Sequence, residues 1–498
     1  MRLLQRKAAG KGSFRASVGL CGLLVAHGAL GQPSLPEGVI GERARAMVAI
    51  LTGAGGDAAS IEPVVAANWA ASALAQRPAA ERAKALAGVR VDLGTAELVR
   101  VERRSENELD LTFRSQAKGL WLTVGMKLEP QPPRGILGAS MQLDSNPPAD
   151  ARAAAGPKLS TDQAIAQVAA RISALAAEDA FSGVVLLARD GKVELEKAAG
   201  KADRERGVAN GAATRFNIGS ISKAFTQVIV AQLAAEGKLA VDDRLIRHLP
   251  DYPDRAIAEQ ITLQQLLAHR SGLGDIFNER FTPAAAAGLR TLHDYLPLFI
   301  GKPLEFEPGS AQRYSNAGYV VLGLVIERIT GKPFADVARE RIFVPAGMAA
   351  SGWLARDALP REAAVGYTRE GWQEARERRG PASSGAAAQT TLPPRHSNAT
   401  ELPAQGSSAG GSYSTARDLL AFSTALAAGT LGGPERYAQQ GGLGLAGGTA
   451  GASAVLESDW TPGGWTVIVL ENIDPPAAES LMRELRALLG RVAPSPAG

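Results

Sequence analysis

Strand and helix patterns alternate along the second half of this chain in an order that limits its fold. Apolar runs flank the pair Asp190-Gly191, and an Asp-Gly pair between two such runs predicts a β-hairpin. The other elements expected here are helices at about 160–177 and 475–490 and strands at about 452–457 and 465–471. A helix-rich region lies between the two groups of strands. The order predicts an α+β domain, with one antiparallel sheet flanked by helices and a helical lobe in the middle.

The region before this domain has a different pattern. Residues from about 37 to 90 are rich in Ala with helical periodicity, and apolar and polar residues then alternate as far as Leu128. Helices followed by strands predict a small α+β accessory domain at 32–144. The Pro- and Ala-rich segment 145–158 is typical of a linker, so the larger domain is expected at 159–498. Within that domain, the Pro-, Ser- and Gly-rich stretch 377–406 predicts a long exposed loop.

The first 31 residues have the pattern of a signal peptide. A basic segment ends at Arg15, an apolar run of about 18–26 follows, and Ala29-Leu30-Gly31 suits cleavage. The apolar run is too short for a stable membrane anchor. We therefore expect a periplasmic or secreted protein. These residues contain five basic side chains and no acidic one, so their removal takes the formal net charge from +4 to −1. A chain near neutrality gives no reason to expect a nucleic-acid partner.

Cys21 is the only cysteine, and it lies inside the apolar run of the predicted signal peptide. The exported chain would then have no cysteine, which excludes a cysteine nucleophile and a zinc–thiolate site. No group of His and acidic residues has metal-ligand spacing. We expect neither a metal nor another cofactor.

A candidate nucleophile and base stand three residues apart at Ser220 and Lys223. Downstream apolar residues have helical spacing, so both side chains would share one face at the start of a helix. A serine hydroxyl needs a neighbouring base, and a lysine can serve when burial lowers its pKa. The alternative is a helix-capping serine beside a solvated lysine. The pattern alone does not decide, because Ser115 and Lys118 repeat it in the strand-rich region.

Two further segments could contribute to the same chemistry. Tyr314 could shuttle protons if cations depress its pKa, and Asn316 could orient a substrate amide and the lysine. The alternative is a loop tyrosine that caps a helix. In the glycine-rich run 444–451, exposed backbone N–H groups could complete an oxyanion hole. A tight turn into an edge strand is the alternative there.

Together these segments resemble the serine β-lactamase and penicillin-binding-protein superfamily over about residues 160–490, and most closely its class C branch of D,D-peptidases, D-aminopeptidases and esterases. The motifs that carry the resemblance occur in the family's order: Phe216-Asn217-Ile218-Gly219-Ser220 with Lys223, Leu266 to Leu273, Tyr314-Ser315-Asn316, Pro345 to Met348, and Ala409-Gly410-Gly411.

The resemblance implies a small-molecule or peptide substrate that acylates Ser220. Lys223 and Tyr314 would exchange protons, and Asn316 would position the acyl group. The N–H groups of Ser220 and Gly448 would form the oxyanion hole.

One position departs from the family pattern. The third motif normally begins with Lys or His, and this chain has Leu445 there. The missing cation removes an anchor for a substrate carboxylate and part of the field that would acidify Tyr314. Hydrolysis of a neutral ester would be impaired less than that of a β-lactam or a peptide C-terminus. A catalytically impaired or inactive binding protein is therefore the alternative function, and an interaction role for the N-terminal domain is compatible with either.

Gly406-Ser407-Ser408-Ala409-Gly410 matches the nucleophile elbow of α/β-hydrolases by letter. That motif requires a preceding strand and a downstream histidine. The preceding segment is a Pro-rich loop, and every histidine lies upstream of Ser408. We therefore do not expect Ser408 to be a nucleophile.

Overall fold

A computed structural model describes residues 33–53, 57–103, 105–115, 120–144, 158–369 and 394–492. The chain divides into two compact units, Met1–Asp144 and Ser145–Gly498. The predicted signal peptide lies outside the described residues, as do positions 145–157 of the predicted linker and the first part of the loop predicted at 377–406. None of the helices in the described ranges is long and apolar enough to span a membrane.

The first unit combines helices with an antiparallel meander. Its helices are Val39–Thr52, Ala58–Asn68, Ala71–Gln76 and Ala79–Leu93. Its strands pair in chain order as Ala96–Arg103, Glu108–Ser115, Leu120–Leu128 and Ile136–Asp144. The alternating residues Leu109, Leu111, Phe113, Val124 and Met126 are buried. They form one apolar face that packs with the helices in a core of its own.

The second unit is built on a five-stranded antiparallel sheet, which confirms the predicted fold class. The strands lie in the order Gly442–Thr449, Ala452–Asp459, Trp465–Glu471, Gly183–Arg189 and Lys192–Ala199. Asp190 and Gly191 form the predicted hairpin turn with φ values of 49° and 75°. Positive φ at both positions matches the right-handed twist of the two strands.

Both faces of this sheet are buried, so its central strands are apolar without a break. Val185, Leu187 and Val469 face the first and last helices of the unit, Thr161–Ala177 and Ala477–Leu489. Their neighbours along the strands face a larger core that includes the helices Ser222–Ala235 and Ala416–Ala427. The sheet is therefore the middle layer of the unit.

The helical lobe lies between the two groups of strands in sequence. Its helices are Leu245–His248, Arg255–Gln260, Leu263–Leu267, Pro283–Gly288, Asn316–Thr330, Phe334–Ala338 and Val344–Ala346, and Glu435–Gln439 follows later in the chain. Two-residue strands pair at Phe216–Asn217 with Tyr413–Ser414, and at Tyr367–Thr368 with His396–Ser397; Lys201–Asp203 pairs with Val208–Ala209.

The glycine-rich run expected to precede a strand instead forms most of a strand itself. Gly442–Thr449 is the edge strand of the sheet and pairs with Ala452–Asp459. Glycines weaken strand propensity, so the side-chain pattern does not predict this strand. The strand forms because its backbone pairs with Ala452–Asp459 and because its glycines let the segment with Gly219 and Ser220 approach closely.

Candidate active site

Ser220 lies in a 3₁₀ turn, Gly219–Ile221, directly before the helix Ser222–Ala235. The sequence predicts Ser220 within the first turn of this helix, and the structure places it in the turn directly before the helix begins. Gly219 has a φ of 51°, and its N–H donates to Asn217 Oδ1 at 2.9 Å. This left-handed glycine lets the chain turn sharply from the short strand into the helix.

Lys223 is buried, with 5% of its surface exposed. Its Nζ donates to Ser220 Oγ at 3.1 Å, to Asn316 Oδ1 at 2.7 Å and to the Ala409 carbonyl. Burial lowers the pKa of Lys223 to about 7, although the negative charge of Asp275 acts to raise it. A substantial fraction of Lys223 is therefore neutral at neutral pH and able to accept the proton of Ser220.

Tyr314 completes the contacts of Ser220, because its Oη lies 2.7 Å from Ser220 Oγ. The condition that cations depress the pKa of Tyr314 is not met: although half of its surface is exposed, loss of water around its hydroxyl raises the pKa of Tyr314 to about 12, and only the hydrogen bond to Ser220 acts to lower it. The His269 ring stacks on Tyr314 at 4.5 Å. Burial, followed by the charge of Lys223, lowers the pKa of His269, and this ring is not among the groups that act on the pKa of Tyr314.

Asn316 begins the helix Asn316–Thr330, which Ser315 caps by accepting the Gly318 N–H at 3.2 Å. The Ser315 hydroxyl also donates to the Gly274 carbonyl at 2.9 Å. This contact holds the helix start against the segment that carries Asp275. The helix start therefore places Asn316 between Lys223 and a carboxylate.

Asp275 is a member of the site that sequence reasoning missed. Its carboxylate accepts the backbone N–H of Asn316, and both of its oxygens accept from the Asn316 Nδ2. It follows the Leu266–Leu273 motif by two residues, and an acidic residue so close to a family motif was the available signal. The Ala409 carbonyl, which also binds Lys223, belongs to a glycine motif that the sequence did identify.

Gly448 lies beside Ser220, as the resemblance implies. A Cβ added at Gly219 would stand 2.6 Å from the Gly448 nitrogen, and one added at Gly447 would stand 2.7 Å from the Ser220 nitrogen. Only glycines allow the edge strand to approach this closely. Two backbone nitrogens, those of Ser220 and Gly448, are thus brought to one place, where N–H groups could stabilise an oxyanion.

A cleft of about 650 Å³ opens beside Ser220. Ser220, Asn316, Gly448 and Arg356 line it, together with apolar side chains. Leu445 does not line this cleft; it is half-buried against the main core. Ser408 is fully buried and donates to the Tyr319 carbonyl at 2.8 Å, so it is not presented to a substrate. Across the described ranges, no three His, Cys, Asp or Glu side chains cluster as metal ligands would.

The chain with this site has relatives among known proteins. The Beta-lactamase family model matches residues 168–468, which is more than half of the chain. The chain belongs to this family. It is a family of β-lactamase-like serine hydrolases, and the relatives of this chain include penicillin-binding proteins.

Individual relatives agree with this assignment. Penicillin-binding protein 4* of Bacillus subtilis (strain 168) is 32% identical over 170 residues, which are 34% of this chain and 37% of the relative. A penicillin-binding protein from Bacillus halodurans has 29% identity and a TM-score of 0.53, covering 63% of this chain and 98% of that one. The D-amino acid amidase from Ochrobactrum anthropi SV3, at 22% identity and a TM-score of 0.52 over 66% and 97% of the two chains, shares the fold. The matches span between 37% and 49% of the lengths of the curated relatives.

Proposed function

We propose that this chain is an exported serine hydrolase that forms an acyl-enzyme on Ser220 with an ester, amide or D-amino-acid peptide substrate. The observation that carries the proposal is the contact of Ser220 Oγ with both Lys223 Nζ, at 3.1 Å, and Tyr314 Oη, at 2.7 Å. A pKa of about 7 for Lys223 supports it, because the base is then partly neutral where the enzyme would work. The signal-peptide pattern of residues 1–31 supports export to the periplasm or medium.

Acylation follows from these contacts. Neutral Lys223 takes the proton of Ser220 as Oγ attacks the substrate carbonyl carbon. The N–H groups of Ser220 and Gly448 stabilise the negative charge on the carbonyl oxygen. As the bond to the leaving group breaks, Tyr314 donates its hydroxyl proton to that group, and the Lys223 ammonium returns a proton to the tyrosine.

The pKa of Tyr314 determines its role in this sequence. With a pKa of about 12 the tyrosine is protonated at neutral pH, so it acts as a proton donor and Lys223 is the base. Water then attacks the acyl-enzyme with the same groups in reverse order. Asn316, held by Asp275, positions Lys223 throughout.

Covalent labelling of the mature protein with a fluorophosphonate probe tests the proposal. We expect the label on wild type, its loss in Ser220→Ala and its retention in Ser408→Ala, the serine of the elbow-like sequence. Thermal melts establish that each variant is folded. A folded wild type that takes no label would overturn the proposal and favour a binding protein instead.

Turnover measurements refine the substrate class. Because Leu445 replaces the basic residue of the third motif, we expect p-nitrophenyl esters to be hydrolysed faster than nitrocefin. Faster nitrocefin hydrolysis would contradict the argument from Leu445.

A further inference from the structure

Arg356 is the only charged side chain among the described residues that line the cleft beside Ser220. It lies in the short 3₁₀ turn Arg356–Ala358, after Leu354. Its Nη1 donates to the Leu402 carbonyl, and its backbone N–H donates to the Ala404 carbonyl at 2.8 Å. The backbone contact holds the residue in place, and the Leu402 contact uses one of the five N–H donors of the Arg356 side chain.

Within the described part of the chain, no carboxylate forms a salt bridge with this guanidinium, although the charge of the adjacent Asp357 acts on it more weakly than on Arg290. The adjacent acid, Asp357, is paired with Arg290 at 2.5 Å. The cleft that Arg356 lines is mostly apolar, and its apolar side chains include Ile276, Phe277, Tyr295, Leu354, Leu402 and Pro403. An arginine without a salt-bridge partner beside an apolar lining attracts an anion, and its remaining donors match the two oxygens of a carboxylate.

The positions of the catalytic groups indicate which part of a substrate meets Arg356. Tyr314, the proton donor to the leaving group, is 51% exposed and does not line the cleft. The leaving group therefore departs on the solvent side, and the acyl group occupies the cleft. Arg356 lines the cleft that the acyl group would occupy, and Leu445 does not line it.

We propose that Arg356 binds a carboxylate carried by the acyl group of the substrate, so that the cleft prefers acyl chains ending in an acid to neutral chains of the same length. This inference rests on the proposed function of Ser220. It adds a substrate class, and it explains how the site can lack the third-motif cation and still recognise an anionic substrate.

Two matched pairs of p-nitrophenyl esters test the inference: the adipate monoester with the hexanoate, and the suberate monoester with the octanoate. The measured quantity is the ratio of kcat/KM for the acidic ester to that for its neutral partner. Taking the ratio within one variant cancels any general loss of activity. We expect wild type to favour at least one acidic ester by roughly tenfold or more, as a charged hydrogen-bonded pair provides.

Arg356→Gln should remove most of this preference, and Arg356→Lys should keep part of it because a lysine retains the charge without the two-pronged geometry. Arg255→Gln is the matched control: it removes an exposed arginine that pairs with Glu259 and does not line the cleft, and it should keep the wild-type ratio. If Arg356→Gln does not fold, stronger competitive inhibition of wild type by suberate monoamide than by octanamide supports the inference, and equal inhibition overturns it.

Failure of this inference can be separated from failure of the proposed function. If neutral esters are hydrolysed through Ser220 while the ratio is the same in wild type and Arg356→Gln, only the role of Arg356 is overturned. If Ser220→Ala hydrolyses the esters as fast as wild type, the proposed function fails, and the inference fails with it.

Discussion

The carboxylate of Asp275 holds Asn316 by three hydrogen bonds, at 3.1 Å from the backbone N–H and at 3.0 and 3.1 Å from the side-chain amide. An amide whose nitrogen donates to a carboxylate must turn its oxygen the other way. That oxygen accepts from Lys223 Nζ at 2.7 Å. Asp275 therefore determines which end of Asn316 faces the catalytic lysine, and its charge also acts on that lysine.

Replacing Asp275 by Asn should change the pH dependence of ester hydrolysis. The carboxylate acts to raise the pKa of Lys223, so its removal lowers that pKa further. The rising limb of kcat/KM, which follows deprotonation of Lys223, should move to lower pH. The plateau should also fall, on the order of ten- to a hundredfold, because Asn316 loses its fixed orientation.

Asp254→Asn is the control for this experiment. It replaces a carboxylate that caps the helix Arg255–Gln260 and that is not among the charges acting on Lys223. Asn is an equally good cap, so both stability and the pH profile should be preserved. A profile of Asp275→Asn with an unchanged midpoint, or one moved to higher pH, would contradict the positioning role.

Much of the second unit could be predicted from sequence because its signals are local. The helix at 160–177, the hairpin at Asp190-Gly191 and the strand at 465–471 all depend on side-chain periodicity or turn chemistry within a short segment. The edge strand Gly442–Thr449 has no such periodicity, because glycines carry no side chains to pattern. It forms a strand because its backbone pairs with Ala452–Asp459.

The residues of the site also divide into those that a local sequence pattern predicts and those that depend on the fold. Ser220 and Lys223 share one turn of chain, and the ordered motifs bring Tyr314 and Asn316 into consideration. The contacts of Asp275 with Asn316 and of Ala409 with Lys223 join segments far apart in sequence, so no local pattern contains them. The pKa of Tyr314 could not be predicted for a related reason: it depends on burial and on the charge of Asp275, which only the fold brings near.

Lys223→Arg should remove the rising limb of activity near neutral pH. A guanidinium has a pKa above about 12 and cannot accept the proton of Ser220. Wild-type kcat/KM should rise with pH through about 7, the pKa of the buried lysine. The variant should lose roughly a hundred- to ten-thousandfold in rate, the usual contribution of a general base.

Lys238→Arg provides the comparison, since Lys238 is half exposed and pairs with Glu236 at the surface. Its pH profile should match that of wild type. A Lys223→Arg enzyme that keeps the rising limb would show that another group is the base.

Gly219→Ala tests the approach of the edge strand to the nucleophile. The new Cβ would lie 2.6 Å from the Gly448 nitrogen, so the two backbone N–H groups must move apart. Loss of one oxyanion donor lowers kcat by about a hundred- to a thousandfold. Steady-state ester hydrolysis, with labelling of Ser220 to count active sites, measures the effect.

Gly237→Ala separates this effect from backbone strain. Gly237 also has a positive φ, 69°, but a Cβ there would meet nothing within 4 Å. It should lose about 1 kcal/mol of stability from the strained backbone and keep its kcat. Equal losses of kcat in the two variants would contradict a specific role for the contact between Gly219 and Gly448.

The buried lysine should also leave a signature in the pH dependence of stability. The pKa of Lys223 falls from an ordinary value of 10.5 in the unfolded chain to about 7 in the fold, so between these pH values the unfolded state binds more protons. Stability therefore rises with pH across this window, by up to about 1.4 kcal/mol per pH unit from this residue alone, and is lowest below pH 7. Lys223→Met removes the titrating group, so the free energy of unfolding of wild type should rise relative to that of the variant from pH 7 to 9. Urea denaturation across this range measures the difference, and parallel curves for the two proteins would mean that Lys223 keeps an ordinary pKa and remains charged beside Ser220.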